Sequence, residues 1–117
     1  MVGPVDACVF CRIVAGELPS EEVASSPGAY AFRDIHPAAP THVLVVPRDH
    51  IDSAASVGPE HGPLLAEMVG LARRVAELEG LSERGYRLVF NVGPDALNSV
   101  PHLHLHVLGG RRLGAMG

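Results

Sequence analysis

Lysine is absent from this 117-residue chain, and all nine basic residues are arginine. That bias reads as genomic codon usage, not as chemistry. Runs of like charge are absent too, and the formal net charge is −4. A basic face that tracks a nucleic-acid backbone is therefore not expected. A single mononucleotide needs only a few aimed donors and stays open. The longest unbroken apolar stretch, Val43 to Pro47, is far short of the ~20 residues a membrane helix needs. Met1 to Asp6 lacks the charged start and apolar run of a signal peptide. Cysteine is scarce: Cys8 and Cys11 stand alone, spaced C-x-x-C. So close a pair is a poor long-loop staple and fits a reducing compartment. These absences point to a cytoplasmic protein without a membrane or nucleic-acid partner. Repeats and low-complexity tracts are missing as well. What is present suffices for a core, since hydrophobic residues are 47% and charged residues 19% of the chain. One domain over 1–117 is expected, with flexible ends at about 1–6 and 112–117.

Val9 to Ala15 reads as a brief helix stopped by Gly16. Glu21 to Ser26 and Tyr30 to Ile35 read as strands around the turn signal Pro27-Gly28. Thr41 to Val46, rich in β-branched residues and bounded by Pro40 and Pro47, is a third. From about Glu60 to Glu79, apolar residues recur at helical spacing, with Pro63 in the first turn and Gly80 at the far end. Tyr86 to Val92 is a fourth strand, Gly93 to Pro101 a loop, and His102 to Leu108 the last strand. One long helix and one short helix among five strands predict an α+β fold with an antiparallel five-stranded sheet.

The last strand carries the chemistry. It reads His102-Leu103-His104-Leu105-His106-Val107-Leu108, and the side-chain period of two places the three histidines on one face. The leucines mark the other face as core. Two functions fit. Alternating histidines can ligate zinc, or one neutral imidazole can act as a nucleophile toward phosphorus while its neighbours donate. Both compete for the same lone pair.

The run Ser99-Val100-Pro101-His102-Leu103-His104-Leu105-His106-Val107-Leu108-Gly109-Gly110 resembles the signature of the histidine triad (HIT) superfamily. Cys8 to Pro19 resembles that family's opening, and Ala31 to Ile35 with Ala39 to Pro47 its middle. The ending His-Val-Leu-Gly-Gly-Arg is similar to the nucleotide-binding (Hint-like) branch, whose members are nucleoside phosphoramidases. The resemblance implies that His104 attacks the α-phosphorus and forms a nucleotidyl-histidine intermediate. His106 would touch the phosphate oxygens and assist departure, and His42, across the sheet, would assist the orientation of His104. Asn91, Ser99 and the backbone amides of Leu97 to Ser99, Asn98 among them, would donate to phosphate or leaving group. Asp34 would accept from the ribose hydroxyls. Phe10, Ile13, Phe32, Ile35 and Leu44 would form the slot for the base. His36 and His61 are expected as solvated surface residues.

The cysteine pair has three readings: reduced core thiols, a redox pair, or half of a structural zinc site. The zinc set would be Cys8, Cys11, His50 and His102, as relatives with this pair use. Catalysis itself needs no cofactor. The loop Gly93-Pro94-Asp95-Ala96-Leu97-Asn98-Ser99 departs from the family's glycines and glutamine, so Ala96 and Leu97 lack glycine's freedom at positive φ. The branch's aromatic C-terminus is missing. A purine nucleoside phosphoramidase is the leading expectation. Dinucleoside polyphosphate hydrolysis is the alternative within chemistry, a nucleotide-responsive binding module the alternative outside it, and a metal-dependent hydrolase ranks below both. A homodimer acting on a purine nucleotide or phosphoramidate completes the reading.

Overall fold

A computed structural model describes residues 7–116 of the protein. Its strands are β1 (Glu22–Ser25), β2 (Ala29–Arg33), β3 (Thr41–Pro47), β4 (Arg87–Val89) and β5 (Leu105–Gly109). Its α-helices are the short α1 (Val9–Val14) and the long α2 (Gly62–Leu78). The strands form one antiparallel sheet in the order β1-β2-β3-β5-β4. The α+β class and the sheet are as expected.

Strand β3 is central, and all seven of its residues are buried. Its period of two splits the core. Val43 and Val45 join Met68, Leu71, Ala72, Val75 and Ala76 of α2 on one side. Leu44 and Val46 join Phe32 and the α1 residues Phe10 and Cys11 on the other. Neither helix could leave its apolar stripe in water, so each covers one face. Helix α2 ends as its sequence requires. Gly80 takes φ 74°, while Leu81 N–H donates to Ala76 O and Gly80 N–H to Glu77 O at 2.8 and 3.2 Å.

Several boundaries differ from expectation. The long helix starts at Gly62, because Pro59–His61 forms a separate 3₁₀ turn. His61 caps that turn by accepting Gly58 N–H at 2.9 Å and is half-buried, not a purely solvated residue. The last strand begins at Leu105, not at His102. Pro101 has no N–H for the ladder, His102 N–H turns back to Val100 O, and Leu103 N–H donates to Ile51 O. His102 therefore leaves the face that His104 and His106 occupy. The expected strand ends at Ile35 and Val92 also retract, to Arg33 and Val89. The expected flexible end at 1–6 and Gly117 lie outside the described residues. Residues 112–116 form no regular element, and Gly114 O accepts from Arg87. No helix among the described residues is long and apolar enough to cross a membrane.

Candidate active site

A cleft of about 420 Å³ opens on the α1 side of the sheet. Phe10 and Ile13 of α1, Phe32 of β2 and Leu44 of β3 form its apolar wall. Asp34 follows β2, and Asn91 stands two residues beyond β4. Leu97, Asn98 and Ser99 arrive from the loop, His104 and His106 from the triad segment. Ile35 also borders the cleft but is 85% exposed, so it forms rim and not slot. His42 lies behind His106, 7% exposed.

Sheet register brings these rings together. Leu44 pairs with His106 and His42 with Leu108, so His42 and His106 are diagonal neighbours on one face. Their hydrogen bonds settle which nitrogen carries each proton. His42 Nδ1 accepts Ala38 N–H at 2.9 Å, which leaves the proton of the neutral ring on Nε2. That Nε2–H lies 2.9 Å from His106 Nδ1 and 3.4 Å from Asp34 Oδ2. His106, accepting at Nδ1, then carries its proton on Nε2. The Asn91 side chain 3.4 Å away meets that proton with its oxygen once the amide O and N are exchanged, which leaves the Asn91 NH2 free to donate into the cleft. His104 is set in the opposite sense. Its Nδ1 stands 2.6 Å from His102 O, an acceptor only, so Nδ1 donates and Nε2 keeps a lone pair. The edge-on Phe10 ring, 5.1 Å between centroids, fixes the plane of His104.

Burial pushes His106 down to about 4, and the neighbouring His104 and His42 add to the shift against an opposing Asp34. Burial likewise lowers His42, partly offset by Asp34. Both rings are neutral at pH 7. The folded His106 thus refuses a proton that the unfolded ring takes at ~6.5. Its contribution to stability is complete above that pH and is lost as pH falls toward about 4. Thermal melts between pH 7 and 4.5 should show Tm falling, with a smaller fall in His106→Asn. An equal fall in both proteins would contradict the assignment.

A second constellation lies behind the triad. Cys8 Sγ and Cys11 Sγ stand 3.3 and 3.4 Å from His102 Nδ1, and Cys11 Sγ is 3.3 Å from His50 Nδ1. All four atoms lie within 4.8 Å of one another. Tetrahedral zinc with bonds of ~2.0–2.3 Å separates its ligands by roughly 3.3–3.8 Å, and these spacings fit. The far nitrogens are held as in metal sites: His50 Nε2 faces Asp52 Oδ1 at 2.8 Å and His102 Nε2 faces Pro47 O at 3.0 Å. Both Nδ1 lone pairs therefore point at the sulfurs. No disulfide joins the cysteines.

Residues 15–113 match the HIT domain family. The chain belongs to it. This histidine triad protein is 43% identical over 108 residues to the purine nucleoside phosphoramidase of Escherichia coli K12, covering 92% of this chain and 91% of that one. It is 42% identical over 107 residues to a 14 kDa zinc-binding protein of Zea mays, covering 90% and 83%. Its fold is similar to the crystal structure of a HIT family hydrolase from Legionella pneumophila, with TM-score 0.89 and 47% identity, covering 92% and 96%.

The loop before the triad keeps its shape at a cost. Leu97 takes φ 63°, a left-handed conformation that costs a non-glycine residue roughly 1–2 kcal/mol. Leu97 N–H already donates to Pro94 O and Asn98 N–H to Gly93 O. Of the amides expected to meet phosphate, only that of Ser99 has no backbone partner among the described residues. Asn98 Oδ1 is buried without a hydrogen-bond partner among the described residues. Sequence reasoning missed Val9, Pro19, Ser20, Arg33, His36 and Val100, which also border the cleft. The loop residues Pro19 and Ser20 have no periodicity to betray them. His36, taken as merely solvated, is exposed at the rim. Arg33 is no phosphate clamp, because Glu79 binds it at 2.7 and 2.9 Å and Glu21 at 2.7 Å.

Proposed function

We propose that this histidine triad protein is a purine nucleoside phosphoramidase working through a nucleotidyl-histidine intermediate. The observation that carries the reading is the bond from His104 Nδ1 to His102 O, which leaves an unprotonated Nε2 in the cleft. That nitrogen attacks the α-phosphorus, the phosphorus–nitrogen bond breaks, and the amine leaves with a proton. Water then attacks the phosphorus, returns His104, and releases the nucleoside monophosphate. His106 Nε2–H is available to the phosphate oxygens or the leaving amine. His42 is a positioning residue, presenting His106 in the required tautomer. Asp34 accepts from the ribose hydroxyls. Asn91 and Ser99 donate to the phosphate, and the apolar wall holds the base.

The 43% identity to a purine nucleoside phosphoramidase, over 92% of this chain, favours an amine leaving group over a phosphate. Side-by-side kinetics on adenosine 5′-phosphoramidate and diadenosine tetraphosphate test the choice. The phosphoramidate should show kcat/KM larger by roughly 10²-fold or more, about 2.7 kcal/mol of transition-state preference. Equal values, or a preference for the polyphosphate, would refute it.

Cys8, Cys11, His50 and His102 are proposed to hold a structural zinc ion. Zinc held there would tie α1 to the triad segment and would take no part in the reaction. A homodimer is supported by the unpaired edge of β4, where Leu88 is 38% exposed. Sedimentation as a 12.3 kDa species would remove that proposal. The reduced thiol pair supports a cytoplasmic location.

A further inference from the structure

A second cavity, of about 430 Å³, is lined by Gly80, Arg84, Gly85, Gly110, Arg111 and Arg112 and shares no residue with the catalytic cleft. Its form follows from the backbone. Gly80 closes α2, Gly85 precedes β4 and Gly110 follows β5, with φ of 74°, 97° and 98°. Side chains are strained at all three positions, and a Cβ on Gly110 would also stand 2.9 Å from Pro40 Cβ. Bare backbone thus floors the hollow while three guanidinium groups wall it.

The charge there is uncompensated. No carboxylate lines the cavity. The Arg84 and Arg112 side chains have no hydrogen-bond or ion-pair partner among the described residues. Arg111 is steadied by neutral carbonyls alone, donating to Ala38 O at 3.2 Å and Arg112 O at 2.9 Å. Three like charges gathered around one hollow repel each other, in a chain whose net charge is −4. An anion with several oxygens removes that repulsion, and guanidinium forks match phosphate oxygens well.

We propose that this hollow binds an oligophosphate, free or as the tail of a nucleoside polyphosphate. The hollow of about 430 Å³ has room for more than one phosphate group, and three guanidinium forks offer donors to several. Arg111 also links the site to the histidine relay, since Ala38, whose carbonyl it holds, donates its N–H to His42.

Calorimetric titration of tripolyphosphate into the whole protein at low salt is the test, with and without saturating adenosine monophosphate. One site is expected to persist with the monophosphate present and to weaken at least tenfold in Arg84→Gln/Arg112→Gln. That double variant should keep its Tm, because neither side chain has a hydrogen bond or ion pair to lose among the described residues. Should its Tm fall, Arg112→Gln alone is read in its place and must weaken the site at least threefold. ATP in place of tripolyphosphate separates the sources: tighter binding of ATP assigns a nucleoside tail, equal binding a free oligophosphate. Binding abolished by adenosine monophosphate, binding unchanged in the variants, or no heat at millimolar tripolyphosphate would each overturn the proposal. None of these outcomes depends on the reaction assigned to His104.

Discussion

His104→Asn is expected to lower turnover of a nucleoside phosphoramidate by roughly 10⁴-fold or more, the scale seen when a covalent nucleophile is removed, while the fold persists. The ring is half-buried at the end of a segment whose neighbours Leu103 and Leu105 supply the core contacts, each 2% exposed. Asparagine leaves those leucine contacts in place and gives up only the edge-on packing on Phe10, and its amide can replace the donor to His102 O. What it cannot replace is the Nε2 lone pair. Hydrolysis would then need direct attack by water, without a nucleotidyl-enzyme. Intact-protein mass spectrometry during turnover should show a nucleotide adduct on the wild-type chain and none on the variant. Turnover within tenfold of wild type would sink the nucleophile assignment, because His106 cannot substitute. Its Nδ1 accepts from His42, so the nitrogen facing the cleft carries a proton.

The periodicity of the chain made much of this visible in advance. Alternation in Thr41–Pro47 sets which residues of β3 meet each helix, and the apolar spacing of Leu71, Ala72 and Val75 sets the buried stripe of α2. The histidine alternation was read one step too far. A strict period of two placed three imidazoles on one face, but His102 is fully buried and turned toward sulfurs 91 and 94 positions away. Nothing local to His102 except Pro101 marks that turn, since the contact that decides it comes from α1. The loop amides failed for a related reason. Donors at Leu97 and Asn98 looked available, yet the 3₁₀ turn Pro94–Ala96 engages both. The arginine hollow has no sequence signature at all: Arg84 and Arg112 become neighbours only when β4 and β5 pair.

Replacing Cys8 and Cys11 by serine is expected to abolish zinc binding and lower Tm by about 15 °C, more than any surface substitution should. Helix α1 has six residues, too few to persist alone in water. It keeps its place through Phe10, Cys11 and the neighbouring Cys8, 7%, 2% and 6% exposed. A metal bound a thousandfold more tightly than its free concentration requires stabilises the fold by ~4 kcal/mol, at ~4 °C per kcal/mol for a chain of this size. Without it, two lone pairs and two sulfurs converge with nothing between them. The consequence reaches the cleft along two routes. Phe10 packs edge-on against both His102 and His104, at 5.9 and 5.1 Å. His102 also offers the carbonyl that sets the tautomer of His104. Loosening α1 should therefore raise KM through the base slot and lower kcat through the nucleophile, whereas a lost base contact alone would change KM only. Elemental analysis of wild-type protein purified without chelator should find one zinc per chain. A protein free of zinc, or one whose Tm is untouched by chelator, would leave the four side chains as ordinary core thiols and imidazoles.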